Sequence, residues 1–114
     1  MVDQTFKVSI RYQDDKAILD LFGEINAFAD QALNAAYTEA EAKNPDTFIL
    51  NFDGVEYINS TGIALIVELL AQVRKAKKEL VVFGLSDHYV EIFEITRLAD
   101  FMTIYESEAR AMSA

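Results

Sequence analysis

Seven residues in the middle of the chain, 57–63 (YINSTGI), say most about its fold. They lie between two apolar runs, residues 47–52 (TFILNF) and 63–67 (IALIV). The first run is typical of a buried strand and the second of a buried helix. The polar patch between them predicts a loop that leads from the strand into the helix, with Ser60 and Thr61 at the helix start. Backbone N–H groups lack intrahelical partners there and the helix dipole favours negative charge, so Ser60 is well placed to carry a phosphate.

Strand and helix patterns alternate along the rest of the chain. Apolar and polar residues alternate over residues 5–12, which is the period-2 pattern of a half-buried strand, and a turn is expected at 13–16. The predicted strands are residues 5–12, 17–22, 48–52, 80–83 and 101–105. The predicted helices are residues 26–43, 60–77 and 87–94, with a short helix from 107.

Helical periodicity predicts which faces the two long helices bury. The apolar face of the first helix consists of Ala29, Leu33, Ala36, Tyr37 and Ala40. The second helix is expected to bury Ile63, Ile66, Val67, Leu70 and Val73. The predicted N-caps of two other helices are Asn26 or a near neighbour and Ser86 or Asp87, and the short last helix is expected to start at Ser107.

This element order predicts an α/β fold. A β-β-α-β-α-β-α-β-α sequence with right-handed crossovers gives a mixed sheet of about five strands, with an antiparallel N-terminal hairpin and about four helices. The third and fourth strands are continuously apolar and are expected in the interior of the sheet. At 114 residues the chain is predicted to form a single domain over residues 1–114.

Composition and charge exclude several functions. The net charge of −9 disfavours nucleic acid and anionic membranes as partners but suits a protein with a basic docking face. Without cysteine and with one histidine, a metal site is not expected, and neither is a disulfide. The N-terminus lacks the pattern of a signal peptide, and no apolar run is long enough to span a bilayer, so we expect a cytoplasmic protein.

Three segments together resemble the STAS domain, the fold of bacterial anti-sigma factor antagonists. Residues 57–63 resemble the family motif Asp-Ser-(Ser/Thr)-Gly-(Leu/Ile) and its preceding strand end. Residues 23–26 (GEIN) resemble the approach to the first helix, and 92–101 (IFEITRLADF) the approach to the last strand. One position departs from the family pattern, because Asn59 stands where many phosphorylated members have aspartate.

The resemblance implies a binding module that is controlled by phosphorylation. In such proteins the unphosphorylated form binds a serine-kinase anti-sigma factor and frees the sigma factor. The kinase then phosphorylates the motif serine, here Ser60, and a metal-dependent serine phosphatase reverses the step. The ATP and the metal belong to the partners, so no cofactor is expected on this chain, which is expected to be a monomer when free. A subunit that docks on a transporter ATPase and a scaffold of a stress-signalling assembly are alternatives.

Phosphorylation is assigned by the resemblance to Ser60, with Thr61 the weaker candidate. A helix N-cap is the alternative role of both residues. Gly62 is expected to allow a close backbone approach, and Leu65 and Leu69 are either apolar contacts with a partner or part of the core. The predicted partner surface comprises Glu24, Asn26, Tyr57, Asn59, Ser60, Thr61, Gly62, Ile63 and Leu65.

Other readings of the chain fit less well. Asp53 follows a strand, as the phosphorylated aspartate of a receiver domain does, but no lysine follows the last predicted strand, so Asp53 is expected in a turn with Gly54. A Gly-x-Ser-x-Gly elbow around Ser60 is absent, and so is a phosphate-binding Gly-x-x-x-x-Gly-Lys loop. His88 is expected to be exposed and structural. The chain is therefore not expected to be an enzyme.

Overall fold

The computed structural model describes residues 5–113. Two predictions lie partly outside this range: the absence of a signal peptide, where it concerns residues 1–4, and the extent of the single domain at residues 1–4 and 114. The strands are β1 (Lys7–Gln13), β2 (Lys16–Ile25), β3 (Thr47–Ile58), β4 (Glu79–Phe83) and β5 (Thr103–Tyr105). The α-helices are α1 (Asp30–Glu41), α2 (Ser60–Lys75), α3 (Asp87–Ile95) and α4 (Glu108–Met112), and 3-10 helices span Ala27–Ala29 and Leu98–Asp100.

The strands form one mixed sheet in the order β1-β2-β3-β4-β5. The β1–β2 hairpin is antiparallel, and the three other strand pairs are parallel. The predicted fold class is therefore confirmed, and β3 and β4 are interior strands as expected. The larger core lies between one face of the sheet and α1, α2 and α3. A smaller core on the opposite face joins Ile18, Ile49, Val81 and Phe83 to Ala111 of α4.

A charged network ties three strands and α4 together on that second face. Asp20 is only 8% exposed and lies in the middle of β2. Arg11 donates from Nε and Nη2 to its two carboxylate oxygens, at 2.7 and 2.9 Å, and Asn51 donates to Oδ1 at 2.7 Å. The same guanidinium donates to both oxygens of Glu108, at 2.9 and 3.0 Å, so it links β1 to α4. Each partner therefore comes from a different element.

Two strands are longer than predicted. β2 continues to Ile25 rather than ending at residue 22, and β3 continues to Ile58 rather than ending at 52. The prediction that Asp53 lies in a turn is wrong, because it lies inside β3, where its N–H donates to Asn51 Oδ1 at 2.9 Å. Register shifts in the β2–β3 pairing interrupt the regular alternation, so the sequence pattern hides the continuous strands.

The first helix starts as predicted, with one difference in type. Asn26 is the N-cap, but it caps the 3-10 helix Ala27–Ala29, and α1 begins only at Asp30. The five residues predicted to form its apolar face are all buried. The predicted cap Ser86 is confirmed, and Ser107, where the last helix was expected to start, is the N-cap of α4. Each of these serines accepts a hydrogen bond from a backbone N–H in the first turn of its helix.

The buried face of α2 differs from the predicted one. Ile66, Leu70 and Val73 are buried as expected. Val67 is 44% exposed, so its predicted burial is wrong, and Ile63 is half-buried. Leu65 and Leu69 occupy the core instead, because the helix turns that side toward the sheet.

β5 also begins later than predicted. The 3-10 helix Leu98–Asp100 takes the place of the expected strand start, and Phe101 before β5 is 50% exposed. His88 is exposed, as predicted.

We expect Asp20→Asn to flatten the acid dependence of stability. Hydrogen bonds from Arg11 and Asn51 hold the pKa of Asp20 below its usual range against the opposing effect of burial. The ionised carboxylate therefore stabilises the fold above about pH 4, and this contribution is lost as the pH falls through the lowered pKa of the folded state. An amide does not titrate, so urea denaturation at a series of pH values should show a smaller loss of unfolding free energy in the variant.

Asp100→Asn provides the matched control. Asp100 pairs with Arg97 on the surface, where both side chains are well exposed, so its contribution to stability should be small. Parallel pH profiles for the wild type and Asp20→Asn would contradict the assignment of acid sensitivity to the network.

Candidate functional site

The candidate site lies where β2 and β3 end side by side. Glu24 pairs with Tyr57 and Ile25 with Ile58 in the parallel register. The Asn59 N–H then donates to the Ile25 carbonyl at 3.2 Å, which extends the contact into the start of α2. The two segments that sequence patterns placed in one site, residues 23–26 and 57–63, thus meet at the same end of the sheet.

Two asparagines cap the helices that leave this edge. Asn26 Oδ1 accepts a hydrogen bond from the Phe28 N–H at 2.9 Å. Asn59 Oδ1 accepts one from the Gly62 N–H at 2.8 Å. The N-cap of α2 is therefore Asn59, and the alternative that Ser60 or Thr61 serves as this cap is wrong. An asparagine cap is worth about 1 kcal/mol relative to alanine.

Gly62 brings the first turn of α2 into direct contact with the end of β2. It is buried, and a Cβ built at this position would lie 2.0 Å from the Ile25 carbonyl oxygen and 2.7 Å from its carbon. Because the obstructing atoms are backbone, no rotamer change in a neighbour relieves the clash. The close approach predicted for Gly62 is confirmed, and its partner is the strand next to β3.

Tyr89 of α3 holds the end of β3 from the other side. Its hydroxyl accepts a hydrogen bond from the Ile58 N–H at 2.8 Å and donates to the Ile58 carbonyl at 3.3 Å. β4 pairs with β3 only as far as Asn51, so this part of β3 has no strand neighbour on the α3 side. Tyr89 takes the place of that strand neighbour for Ile58. Sequence reasoning did not identify Tyr89, since one tyrosine on a short helix carries no distinguishing pattern.

Ser60 and Thr61 are the exposed residues of this otherwise well-packed turn. Both lie in the first turn of α2, and both are exposed, whereas Gly62 beside them is buried. Helix geometry leaves the backbone N–H groups of Ser60 and Thr61 without an intrahelical partner. An added phosphate at Ser60 would therefore meet unsatisfied donors and the positive end of the helix dipole.

Aromatic side chains project beside this turn. Phe28, next to the cap Asn26, is 92% exposed, and Tyr57 is 52% exposed. Sequence reasoning did not single out Phe28, although a signal was present: it is a large apolar residue that falls off the apolar face of the first helix. Exposed aromatic residues near a modifiable hydroxyl are typical of a binding surface.

The remaining predicted partner contacts have mixed accessibility. Glu24, Asn26 and Ile63 are half-buried, so part of each side chain can contact a partner. Leu65 is 8% exposed and packs into the larger core. The structure therefore places Leu65 beneath the site rather than on its surface.

Residues 5–113 contain no helix of sufficient length and apolar character to cross a membrane. In the same part of the chain, no group of three or more acidic and histidine side chains is placed to hold a metal ion. The chemical capacity of the site thus consists of two exposed hydroxyls at a helix N-terminus and the apolar surface around them.

We expect Gly62→Ala to destabilise the fold by about 3 kcal/mol or more, at the upper end of the range for overpacking. The added Cβ would overlap the Ile25 carbonyl, so either α2 moves away from β2 or the Asn59 cap is lost. Thr61→Ala is the control in the same turn, because Thr61 is exposed and its substitution should change stability by less than about 0.5 kcal/mol. Urea denaturation measures both, and equal stability of the two variants would contradict the close contact.

Comparisons with known proteins agree with this geometry. A sequence model of the STAS domain matches residues 7–111. An anti-sigma-B factor antagonist of Listeria monocytogenes is 33% identical over 104 residues, which cover 89% of this chain and 91% of that protein. The crystal structure of an anti-sigma factor antagonist from Mycobacterium paratuberculosis has a TM-score of 0.83 at 17% identity, with 98% of this chain and 95% of that chain covered. The phosphorylated form of SpoIIAA, a Bacillus cell fate determinant, has a TM-score of 0.71 at 19% identity, with 96% and 97% covered. The solved structures confirm the fold, and the sequence matches show that this chain belongs to the STAS domain family, among the anti-sigma factor antagonists.

Proposed function

We propose that this chain is a phosphorylation-controlled binding module that acts as an anti-sigma factor antagonist. Its unphosphorylated form binds a serine-kinase anti-sigma factor, and phosphorylation of Ser60 by that kinase ends the complex. A metal-dependent serine phosphatase restores the binding form. ATP and metal are held by these partners in the cytoplasm, and the single STAS domain has no enzymatic activity of its own. The observation that supports this proposal best is the exposed Ser60 hydroxyl at the start of α2.

The fold can accept a phosphate at Ser60 without rearrangement. Phosphorylation adds a charge of about −1.5 to −2 at neutral pH. At the N-terminus of α2 that charge interacts favourably with the helix dipole and with the free backbone N–H groups of the first turn. The hydrogen bonds that hold the turn, from Gly62 to Asn59 and from Asn59 to Ile25, use other atoms. Phosphorylation should therefore leave the turn intact.

The phosphate acts instead on the surface that contacts the partner. A partner that packs against Phe28 and Tyr57 also covers the neighbouring turn and removes water from it. A neutral hydroxyl tolerates this desolvation, whereas a doubly charged phosphate loses several kcal/mol of hydration unless the partner offers compensating charge. The switch is then a change in affinity at constant fold.

The site is also held rigidly enough to be recognised in its free form. The Asn59 cap, the Gly62 contact and the Tyr89 hydroxyl bonds fix the end of β3 and the start of α2 from three directions. Binding to a pre-organised surface avoids the entropic cost of ordering a loop. A kinase can therefore bind Ser60 in one fixed conformation of the turn.

Phosphate mapping tests the proposed modification directly. The proposed partner, a serine-kinase anti-sigma factor, is incubated with this protein and ATP and should transfer one phosphate to Ser60. Mass spectrometry of proteolytic fragments locates the phosphate. Ser60→Ala should abolish the transfer while retaining stability, because Ser60 is exposed and is not the helix cap.

Thr61→Ala is the matched control for this experiment. It removes the neighbouring exposed hydroxyl and should leave the phosphorylation of Ser60 unchanged. Phosphate found on Thr61 while Ser60 stays unmodified would refute the assignment. Binding of the kinase without phosphate transfer would leave a binding module that is not controlled at this site.

We expect Phe28→Ala to weaken binding of the unphosphorylated protein to the kinase by about 2 kcal/mol or more, roughly 30-fold. Phe28 is 92% exposed, so its removal should leave the melting temperature unchanged. Tyr12→Ala is the control, since Tyr12 is 43% exposed and lies beside the β1–β2 turn, at the opposite end of the sheet. Calorimetric titration compares the two variants, and equal affinities would remove Phe28 from the interface.

A further inference from the structure

A second surface, at the other end of α2, is open and apolar. A groove of about 570 Å³ lies between the second half of α2 and the segment that follows α3. Its floor is formed by Leu70 and Leu98, which are buried, and its walls carry Val67 and Phe101, which are 44% and 50% exposed. We call this surface the α2 groove. Its volume is that of a ligand site, and two large apolar side chains are exposed on opposite walls.

Basic side chains surround the α2 groove. Arg74, Lys75 and Arg97 line it directly, and Lys77 and Lys78 follow within the next residues of the chain. These five are half of the ten lysines and arginines in a chain whose net charge is −9. Within residues 5–113, neither Lys75 nor Lys77 forms an ion pair, whereas Arg97 pairs with Asp100. The groove is thus a basic region on an acidic protein.

Two of these cations occupy backbone conformations that favour glycine. Lys77 and Arg97 follow the ends of α2 and α3 with φ values of 62° and 69°. A non-glycine residue in this left-handed region costs roughly 1–2 kcal/mol. Cations near a helix C-terminus recover about 0.3–1 kcal/mol from the dipole, which offsets only part of that cost.

We propose that the α2 groove binds an acidic amphipathic helix of a partner protein. The apolar face of such a helix fills the groove between Val67 and Phe101, and its carboxylates lie against Lys75 and against the Nη groups of Arg97, whose Nε already donates to Asp100. Docking of an amphipathic helix into a groove between two walls is a common mode of recognition.

This surface is separate from Ser60. Arg74 lies fourteen positions after Ser60 in α2, about 21 Å along the helix axis, and Val67, the groove residue nearest to Ser60 along the helix, lies about 10 Å from it. A partner helix in the α2 groove can therefore remain bound while Ser60 is phosphorylated or dephosphorylated. The proposed groove ligand is distinct from the kinase that acts at the helix N-terminus.

A pair of synthetic peptides tests this proposal on the intact protein. The first is a helix of about 18 residues, or five turns, with leucines at i, i+3, i+4 and i+7 and glutamates elsewhere, and the second has lysine in place of each glutamate. Titration into the ¹⁵N-labelled protein should shift the amide signals of residues 67–75 and 97–101 with the glutamate peptide. The signals of residues 60–62 should stay in place, and the affinity should fall as salt is added.

Matched variants separate charge from backbone effects. Lys75→Ala should weaken binding of the glutamate peptide about tenfold, whereas Lys7→Ala, which removes another exposed lysine from β1, should not. Arg97→Gly should weaken the peptide similarly without loss of stability, because glycine suits its φ of 69°. Asp14→Gly, at a φ of 55° in the β1–β2 turn, controls for the glycine itself.

Several outcomes would overturn the proposal. They are the absence of shifts with the glutamate peptide at about 1 mM, equal binding of the lysine peptide, and shifts confined to residues 60–62. Shifts at the groove that depend on protein concentration without peptide would assign the groove to a second copy of the chain. Each of these outcomes leaves the phosphorylation of Ser60 untouched, so the two proposals fail separately.

Discussion

The structure depends on the close approach between the first turn of α2 and the end of β2. Gly62 has no side chain, so the Ile25 carbonyl oxygen can approach closely. A Cβ at this position would lie only 2.0 Å from that oxygen. This contact brings the helix start against a strand that is not its sequence neighbour. The Asn59 cap and the Asn59 N–H bond to Ile25 then secure the same junction. Ser60 owes its fixed, exposed position to this packing, because the residues on either side of it are held.

Asparagine at position 59 has an electrostatic consequence as well as a structural one. Its amide oxygen satisfies the Gly62 N–H, as an aspartate carboxylate would. The amide carries no charge, so it leaves the positive end of the α2 dipole uncompensated for a phosphate added at Ser60. An aspartate at this position would place a carboxylate next to the phosphate and reduce the favourable field. Asn59 therefore makes the helix start a better acceptor for added negative charge, and it offers no carboxylate for a partner to contact.

Sequence patterns predicted the element order, the sheet type and the buried face of α1, because each follows from local periodicity and capping residues. They failed where tertiary contacts override periodicity. The register shifts between β2 and β3 break the alternation, so Asp53 looked like a turn residue although it lies in a strand. Because of the orientation of α2, Leu65 lies in the core, whereas Val67, which was predicted to be buried, is exposed. Ser60 was predicted from the motif and its helix position, and Phe28 left a local signal as an apolar residue off the buried helix face, whereas Tyr89 depends on three-dimensional neighbours that no local pattern encodes.

The two ends of α2 differ in chemistry, and distance limits how strongly they can influence each other. Small hydroxyl residues begin the helix and Arg74 and Lys75 end it. At physiological salt, charges interact strongly only within about 8 Å, whereas the helix places these ends about 21 Å apart. A phosphate on Ser60 thus changes the field in the α2 groove very little. Because the helix is continuous and packed along Ile66, Leu69 and Val73, it also offers no hinge between the ends. Direct electrostatic coupling between Ser60 and the basic end of α2 is therefore weak.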